Sequence, residues 1–252
     1  MVGPHGDRWY QKHFLPRDYL AIYYGFSSEN EILKFNLKNL FETFSSGELR
    51  GDVLINTGPG PTIYQLLSAC EAFWEIIASD YSGQNPQEVK KWLKKEPGAN
   101  DLSPAMQYVC ELEGDSGRRR RPVSEGQSCG LLKCDANQPH PPGPAQVPPV
   151  DCMPTLLALE RACHDVDTYR AAGRGLVSLL KPGGHLVTAV ALRTQHYMVG
   201  AKKFFGLHLE KETVEKAGCQ VLRCQYSPVS YSETHCINEG ICFVVARKGP
   251  GA

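Results

Sequence analysis

The feature that most constrains this chain is the run Asp52-Val-Leu-Ile-Asn56, which leads straight into Thr57-Gly58-Pro59-Gly60-Pro61-Thr62. A second apolar run, Trp74–Asp80, closes on an acid twenty residues beyond Gly60. Asp52–Asn56 reads as a strand, and GPGPTIYQLLSAC reads as a tight glycine turn followed by a helix, the opening of a βα unit. Glycines at 58 and 60 let the backbone reverse sharply and let a ligand approach main-chain N–H groups. A carboxylate at the end of the second strand can bind both hydroxyls of a ribose. The glycine turn alone is a weak signal; its pairing with Asp80 is what points to a nucleoside-bearing ligand.

A dinucleotide and S-adenosylmethionine both use such a unit, and an ordinary turn with Asp80 on the surface is the plain alternative. The dinucleotide fingerprint asks for a third glycine at position 63, where this chain has Ile63 followed by Tyr64. Pro59 and Pro61 also remove two N–H donors that a pyrophosphate would use. S-adenosylmethionine carries no phosphate and does not need them, so the residues favour it.

Elsewhere the pattern alternates. EILKFNLKNLFETF carries an apolar stripe at helical spacing, Ile32, Leu33, Phe35, Leu37, Leu40, Phe41 and Phe44. Helices are expected near Pro86–Lys94, Asp167–Leu180 and, weakly, Glu210–Ala217. Strands are expected at Asp151–Leu159, despite Pro154, and at His185–Leu192, Gln220–Tyr226 and Ile241–Arg247. Lys181–Gly184 reads as a turn and the proline-rich Gln138–Pro149 as a stiff loop. Strands alternating with helices imply an α/β fold with a mostly parallel sheet and helices on both faces.

Composition excludes several classes. The 252 residues hold 27 basic and 27 acidic side chains, so net charge does not make nucleic acid or an acidic membrane the default partner. With 42% apolar and 21% charged residues the chain is not globally disordered. No apolar run is long enough to span a bilayer, and MVGPHGDRWYQKH lacks the apolar core of a secretory signal. Ten cysteines without CxxC spacing or a Cys/His cluster read as reduced thiols of a cytoplasmic protein, with no metal site.

The segments QKHFLPRDYL, GPTIYQLLSACE, KWLKKEPGA, LLKPGGHLV, YMVG and CFVVARK closely resemble the small-amine methyltransferases. This family comprises the nicotinamide, phenylethanolamine and indolethylamine N-methyltransferases; the resemblance spans nearly the whole chain and is nearest the indolethylamine (thioether S-methyltransferase) branch. It implies a Rossmann-like class I methyltransferase fold: seven strands, the last antiparallel, in a core over 51–248 beneath an N-terminal helical cap over 1–50. It implies S-adenosylmethionine as cofactor and a small amine, or a thioether, as acceptor, handled by a monomer. Carried over by position, Tyr19 and Tyr24 would close over the cofactor. Gly58, Pro59, Gly60, Thr62 and Tyr64 would lie near its methionine end, and Asp80 would hold the ribose with Asn85 near the same nucleoside. Asp135 and Ala136 would lie beside the adenine, and the segment after the fourth strand would supply Leu156. Tyr197, Phe204 and the Asn238–Gly240 turn are the candidate acceptor contacts. Val190 and Gly206 stand where the nicotinamide enzymes carry an acid and a serine, which disfavours nicotinamide.

Methyl transfer from a sulfonium needs an oriented, uncharged nucleophile and a dry site more than a nucleophilic side chain. No residue is marked as a general base, and His185 reads as structural. Four departures matter. Asn56 replaces an acid and Pro59 interrupts the family's Gly-Ser-Gly, changes expected to touch the cofactor. Gly-rich GDSGRRRRPVSEGQSCG replaces a charged helix, with Arg118–Arg121 read as a solvated run, and a helical turn is lost near Val214–Gly218. They define a second reading, a non-catalytic relative that keeps the fold and binds the cofactor weakly or not at all.

Overall fold

The computed structural model describes residues 7–24, 30–114, 128–143, 147–215 and 219–249. Its centre is a seven-stranded sheet built from β1 (Gly51–Thr57), β2 (Phe73–Asp80), β3 (Ser128–Lys133), β4 (Val150–Leu156), β5 (Leu180–Ala191), β8 (Gln220–Ser227) and β10 (Ile241–Arg247). The strand order is β3-β2-β1-β4-β5-β10-β8. β1 to β5 pair in parallel, and β10 runs antiparallel to both β5 and β8. The expected seven-stranded, mostly parallel sheet is therefore present. Near-continuous apolar runs such as Ile241–Ala246, all buried, suit strands covered on both faces.

Eight helices occur among the described residues: α1 (Asp7–His13), α2 (Pro16–Tyr23), α3 (Glu31–Ser45), α4 (Asn85–Leu93), α5 (Ser103–Glu113), α6 (Leu159–Ala162), α7 (Val166–Ser178) and α8 (Lys211–Glu215). α3 begins where the Asn30 side chain accepts the Leu33 N–H at 3.1 Å, and α7 where Asp165 accepts that of Thr168 at 2.7 Å. One face of the sheet packs with α1, α2 and α3 into a single cluster that includes Phe14, Tyr19, Leu37, Leu54 and Phe243. The other face packs against α7 through Tyr169, Leu176, Met153 and Val190.

Several local expectations are corrected. The segment after the glycine turn is no α-helix but two 3-10 turns, Tyr64–Leu66 and Ala69–Glu71. Residues 61–70 are all buried, so this stretch has no solvent face of the kind an amphipathic helix presents. Lys181–Gly184 lies within the span of β5, where Gly183 (φ +78°) accompanies a register shift against Val150 and Cys152. The strand at 150 stops at Leu156, because Leu157 turns to φ +55°. Pro154 sits inside this central strand: β4 pairs with β1 only at Leu54 opposite Cys152, so the ladder has already opened where the proline lacks its N–H. A second sheet, β7-β6-β9, was not legible in the pattern; it contains β6 (His196–Val199), β7 (Lys202–Phe205) and β9 (Cys236–Ile237). Val199 pairs with Lys202 across a two-residue turn in which Gly200 takes φ +55°. The Arg118–Arg121 run and residues 216–218 lie outside the described residues.

Candidate active site

The chain order reverses between β1 and β4, and in an open α/β sheet the crevice at the carboxyl ends of such strands is where ligands bind. A cavity of about 100 Å³, partly open to solvent, occupies this place. At its floor Gly58 and Gly60 take φ +68° and +67°. A Cβ on Gly58 would lie 2.6 Å from Cβ of Ala158, so this glycine is needed for both its backbone and its lack of a side chain. The Gly58 N–H donates to the Ser79 carbonyl at 2.7 Å, tying the turn to β2.

Asp80 ends β2 on the cavity wall. Its Oδ1 accepts from the Ser82 N–H (2.8 Å) and Asn85 Nδ2 (3.0 Å), and its Oδ2 from the Gly60 N–H (3.0 Å). Burial raises its pKa, and these three donors offset part of the rise. A carboxylate offers about four acceptor positions, so one remains. Asn85 Oδ1, also buried at the cavity, has no partner.

Of the residues expected at the site, Tyr19, Tyr24, Gly58, Pro59, Gly60, Asp80, Asn85, Asp135, Ala136, Leu156 and Tyr197 line this one cavity. Four stand behind its wall. Tyr64 packs 5.6 Å from the Tyr24 ring, Phe204 stacks 5.3 Å from Tyr197, and Thr62 is buried. Asn238 holds its own loop, its Oδ1 accepting the Tyr231 N–H and its Nδ2 donating to the Gly240 carbonyl. The Asp135 carboxylate is turned to Asn137 and Gln138, and closes the turn after β3.

The structure places the departures. Asn56 is fully buried and does not line the cavity, and neither of its amide atoms has a partner. Val190 also stays off the wall, and a Cβ on Gly206 would meet Thr194 Cγ2 at 2.3 Å. His185 sits midway along β5 and does not line the cavity, paired across the ladder with Arg247; burial, then Arg247, lowers its pKa. It is remote from the carboxyl ends, in line with a structural histidine.

The residue that the sequence did not mark is Arg161, in α6 just past β4. Its guanidinium carbon lies 4.5, 5.5 and 5.6 Å from the ring centres of Tyr197, Tyr23 and Tyr19. Its Nη1 donates to the Tyr19 hydroxyl at 2.7 Å. Burial pushes the Tyr23, Tyr24 and Tyr197 hydroxyls upward, so they remain protonated. Cys134, also on the wall, is pushed up to about 12 and stays a thiol. Among the described residues no group of three or more His, Cys, Asp or Glu is placed to hold a metal ion, and nine cysteines stand outside any disulfide.

A family model, the NNMT/PNMT/TEMT family, matches residues 5–249. The chain belongs to that family. It is 58% identical to indolethylamine N-methyltransferase of Mus musculus over 98% of this chain and 97% of that protein. It is 49% identical to nicotinamide N-methyltransferase of Homo sapiens, covering 95% and 94%. Among solved structures, magnesium protoporphyrin IX methyltransferase of Synechocystis PCC 6803 with bound SAH superposes with a TM-score of 0.57 at 13% identity, covering 96% and 97%; that likeness concerns the fold. As a family member the chain is an S-adenosylmethionine-dependent methyltransferase, and the non-catalytic alternative is not favoured. The residues present fit that cofactor: Asp80 keeps an open acceptor position, Asn85 Oδ1 is unpartnered, and tyrosine rings wall the enclosure.

Proposed function

We propose that this chain transfers the methyl group of S-adenosylmethionine to the nitrogen of a small, indolethylamine-like amine. One observation carries the reading: a single cavity joins the Gly58–Gly60 turn, the partly satisfied Asp80 and a tyrosine-walled end. The similarity to a protein named indolethylamine N-methyltransferase supports the acceptor class. When bound, the cofactor supplies an electrophilic sulfonium methyl, whose S–C bond breaks with the electron pair returning to sulfur.

In this reading Asp80 and Asn85 hold the ribose, while Ala136 and Leu156 pack the adenine, with Asp135 keeping its turn closed. Gly58, Pro59 and Gly60, under Tyr19 and Tyr24, receive the methionine end. Thr62 and Tyr64 back that surface, and Gln65 steadies it by donating to the Pro59 carbonyl at 3.3 Å. Tyr197, backed by Phe204, forms the acceptor wall, and Asn238 holds the neighbouring loop. These groups orient the nucleophile and exclude water. Among the described residues no histidine lines the cavity, and Asp80 and Asp135 already accept hydrogen bonds. The amine therefore enters as its free base, or releases its proton to water. For the same reason a thioether acceptor, which has no proton to lose, is kept as a second reading. The cap over 1–50, monomeric state, cytoplasmic location and absence of nucleic-acid or membrane partners belong to the same proposal. Among the described residues no helix is long and apolar enough to cross a membrane.

Calorimetric titration with S-adenosylhomocysteine is expected to show saturable binding at one site per chain. A folded sample that binds neither it nor S-adenosylmethionine overturns the reading. Methyl incorporation into tryptamine, with dimethyl sulfide in parallel, then separates the nitrogen acceptor from the thioether.

A further inference from the structure

Arg161 is 8% exposed and lines the cavity. An arginine side chain stays charged in proteins, and burying that charge is costly unless it is paired. Among the described residues no carboxylate forms an ion pair with it. Its chain neighbour Glu160 makes no ion pair with it: Oε1 accepts the Ala191 N–H at 3.1 Å, and burial raises the Glu160 pKa although the nearby Arg161 charge acts to lower it. The guanidinium is instead met by three tyrosine faces and one tyrosine hydroxyl, and its Nη2 has no acceptor.

Two consequences follow from this geometry. The tyrosine faces that could attract a protonated amine already attract Arg161, and a second cation beside it is repelled with little water to screen the charge. The unpartnered Nη2, in contrast, lacks only an anionic oxygen, and a charge-assisted hydrogen bond to such an atom is among the stronger ones.

Building on the methyl-transfer reading above, we infer that Arg161 sets the acceptor class: a small amine or thioether that also carries a carboxylate. The simple ammonium form of an amine is selected against. The alternative source of a carboxylate is the methionine part of the cofactor, because Tyr19, which Arg161 holds, borders the same cavity.

The test uses the full-length protein saturated with S-adenosylhomocysteine, and compares calorimetric affinities for tryptamine and indole-3-propionate. These share one scaffold, with an ammonium or a carboxylate at its end. Wild type is expected to bind the carboxylate tighter by about tenfold or more. Arg161→Met is expected to abolish that preference, and Arg161→Lys to keep most of it, with S-adenosylhomocysteine affinity unchanged in both. Equal or weaker binding of the carboxylate by wild type, or a preference that survives in Arg161→Met, overturns the inference. So does an Arg161→Met protein that loses affinity for S-adenosylhomocysteine but not for 5′-methylthioadenosine, which lacks the amino-acid part; the arginine would then serve the cofactor. Failure of wild type to bind S-adenosylhomocysteine at all sinks the methyl-transfer reading, and this inference with it.

Discussion

Gly58 and Gly60 look alike in the sequence, but they carry different loads. Both occupy the left-handed region, where an added Cβ costs about 1–2 kcal/mol. Only at Gly58 does that Cβ collide, 2.6 Å from Ala158; at Gly60 its nearest neighbour is Tyr19 Cε1 at 3.8 Å. Gly60→Ala is expected to cost about 1 kcal/mol in urea unfolding, and Gly58→Ala about 2–4 kcal/mol. Equal losses would refute the steric difference. Neither local pattern nor family likeness distinguished the two, because the collision depends on a residue about a hundred positions away. Arg161 makes the same point more strongly. It sits in the short run Leu-Glu-Arg-Ala, which carries no motif, yet its hydroxyl partner Tyr19 lies 142 residues earlier.

Elements were legible where a periodic pattern or a cap specified them. α3 announced itself by its apolar stripe, and α7 falls where a helix is expected near Asp167–Leu180. The post-turn helix did not form, since two prolines and a fully buried setting leave it neither the N–H groups nor the solvent face. The small β7-β6-β9 sheet escaped notice because strands of two to four residues carry almost no periodic signal. One interaction between elements has a pH signature. Asp151 Oδ2 accepts the N–H groups of Asp52 and Val53 at 2.8 and 3.0 Å, and Oδ1 accepts Lys181 Nζ at 2.8 Å, clamping the starts of β1, β4 and β5. Burial raises its pKa, but Lys181 and the two N–H groups outweigh burial and leave it below the usual carboxylate value. Its stabilisation is therefore present above the ordinary aspartate pKa, and is lost as pH falls through the depressed folded value. Asp151→Asn is expected to cost about 1–2 kcal/mol at neutral pH. Urea midpoints of variant and wild type should converge in strong acid; a gap that is constant with pH would show that charge is not involved.

At the scale of the whole molecule, α1, α2 and α3 share one hydrophobic cluster with a face of the sheet. Cap and core should therefore melt together, in one transition, and a ligand held between them should stabilise both. S-adenosylhomocysteine at about 100 times its dissociation constant is expected to add roughly 2.7 kcal/mol. Thermal scans followed by tyrosine near-ultraviolet signal and by far-ultraviolet ellipticity provide the check; a separate early transition that ignores the ligand would contradict it. The zero net charge conceals a local fact that matters more than the total: the buried Arg161 guanidinium, which has no ion-pair partner among the described residues, stands among tyrosine rings.

By itself, the sequence determined the α/β alternation of the main sheet, the glycine turn and the acid that follows it. These are matters of backbone freedom and apolar spacing, which act over a few residues. Tertiary structure alone decided which side chains share the cavity. Asn56 was expected at the cofactor, but a strand's alternation says only which residues point the same way, not which of them reach a cavity; packing put its amide behind the wall. Arg161 reached the wall because β4 stops at Leu156, where Leu157 turns the chain, and is followed by a single helical turn whose Arg161 meets Tyr19 of α2. Only the fold brings that turn, the Tyr19–Tyr23 segment and Tyr197 within one charge's reach.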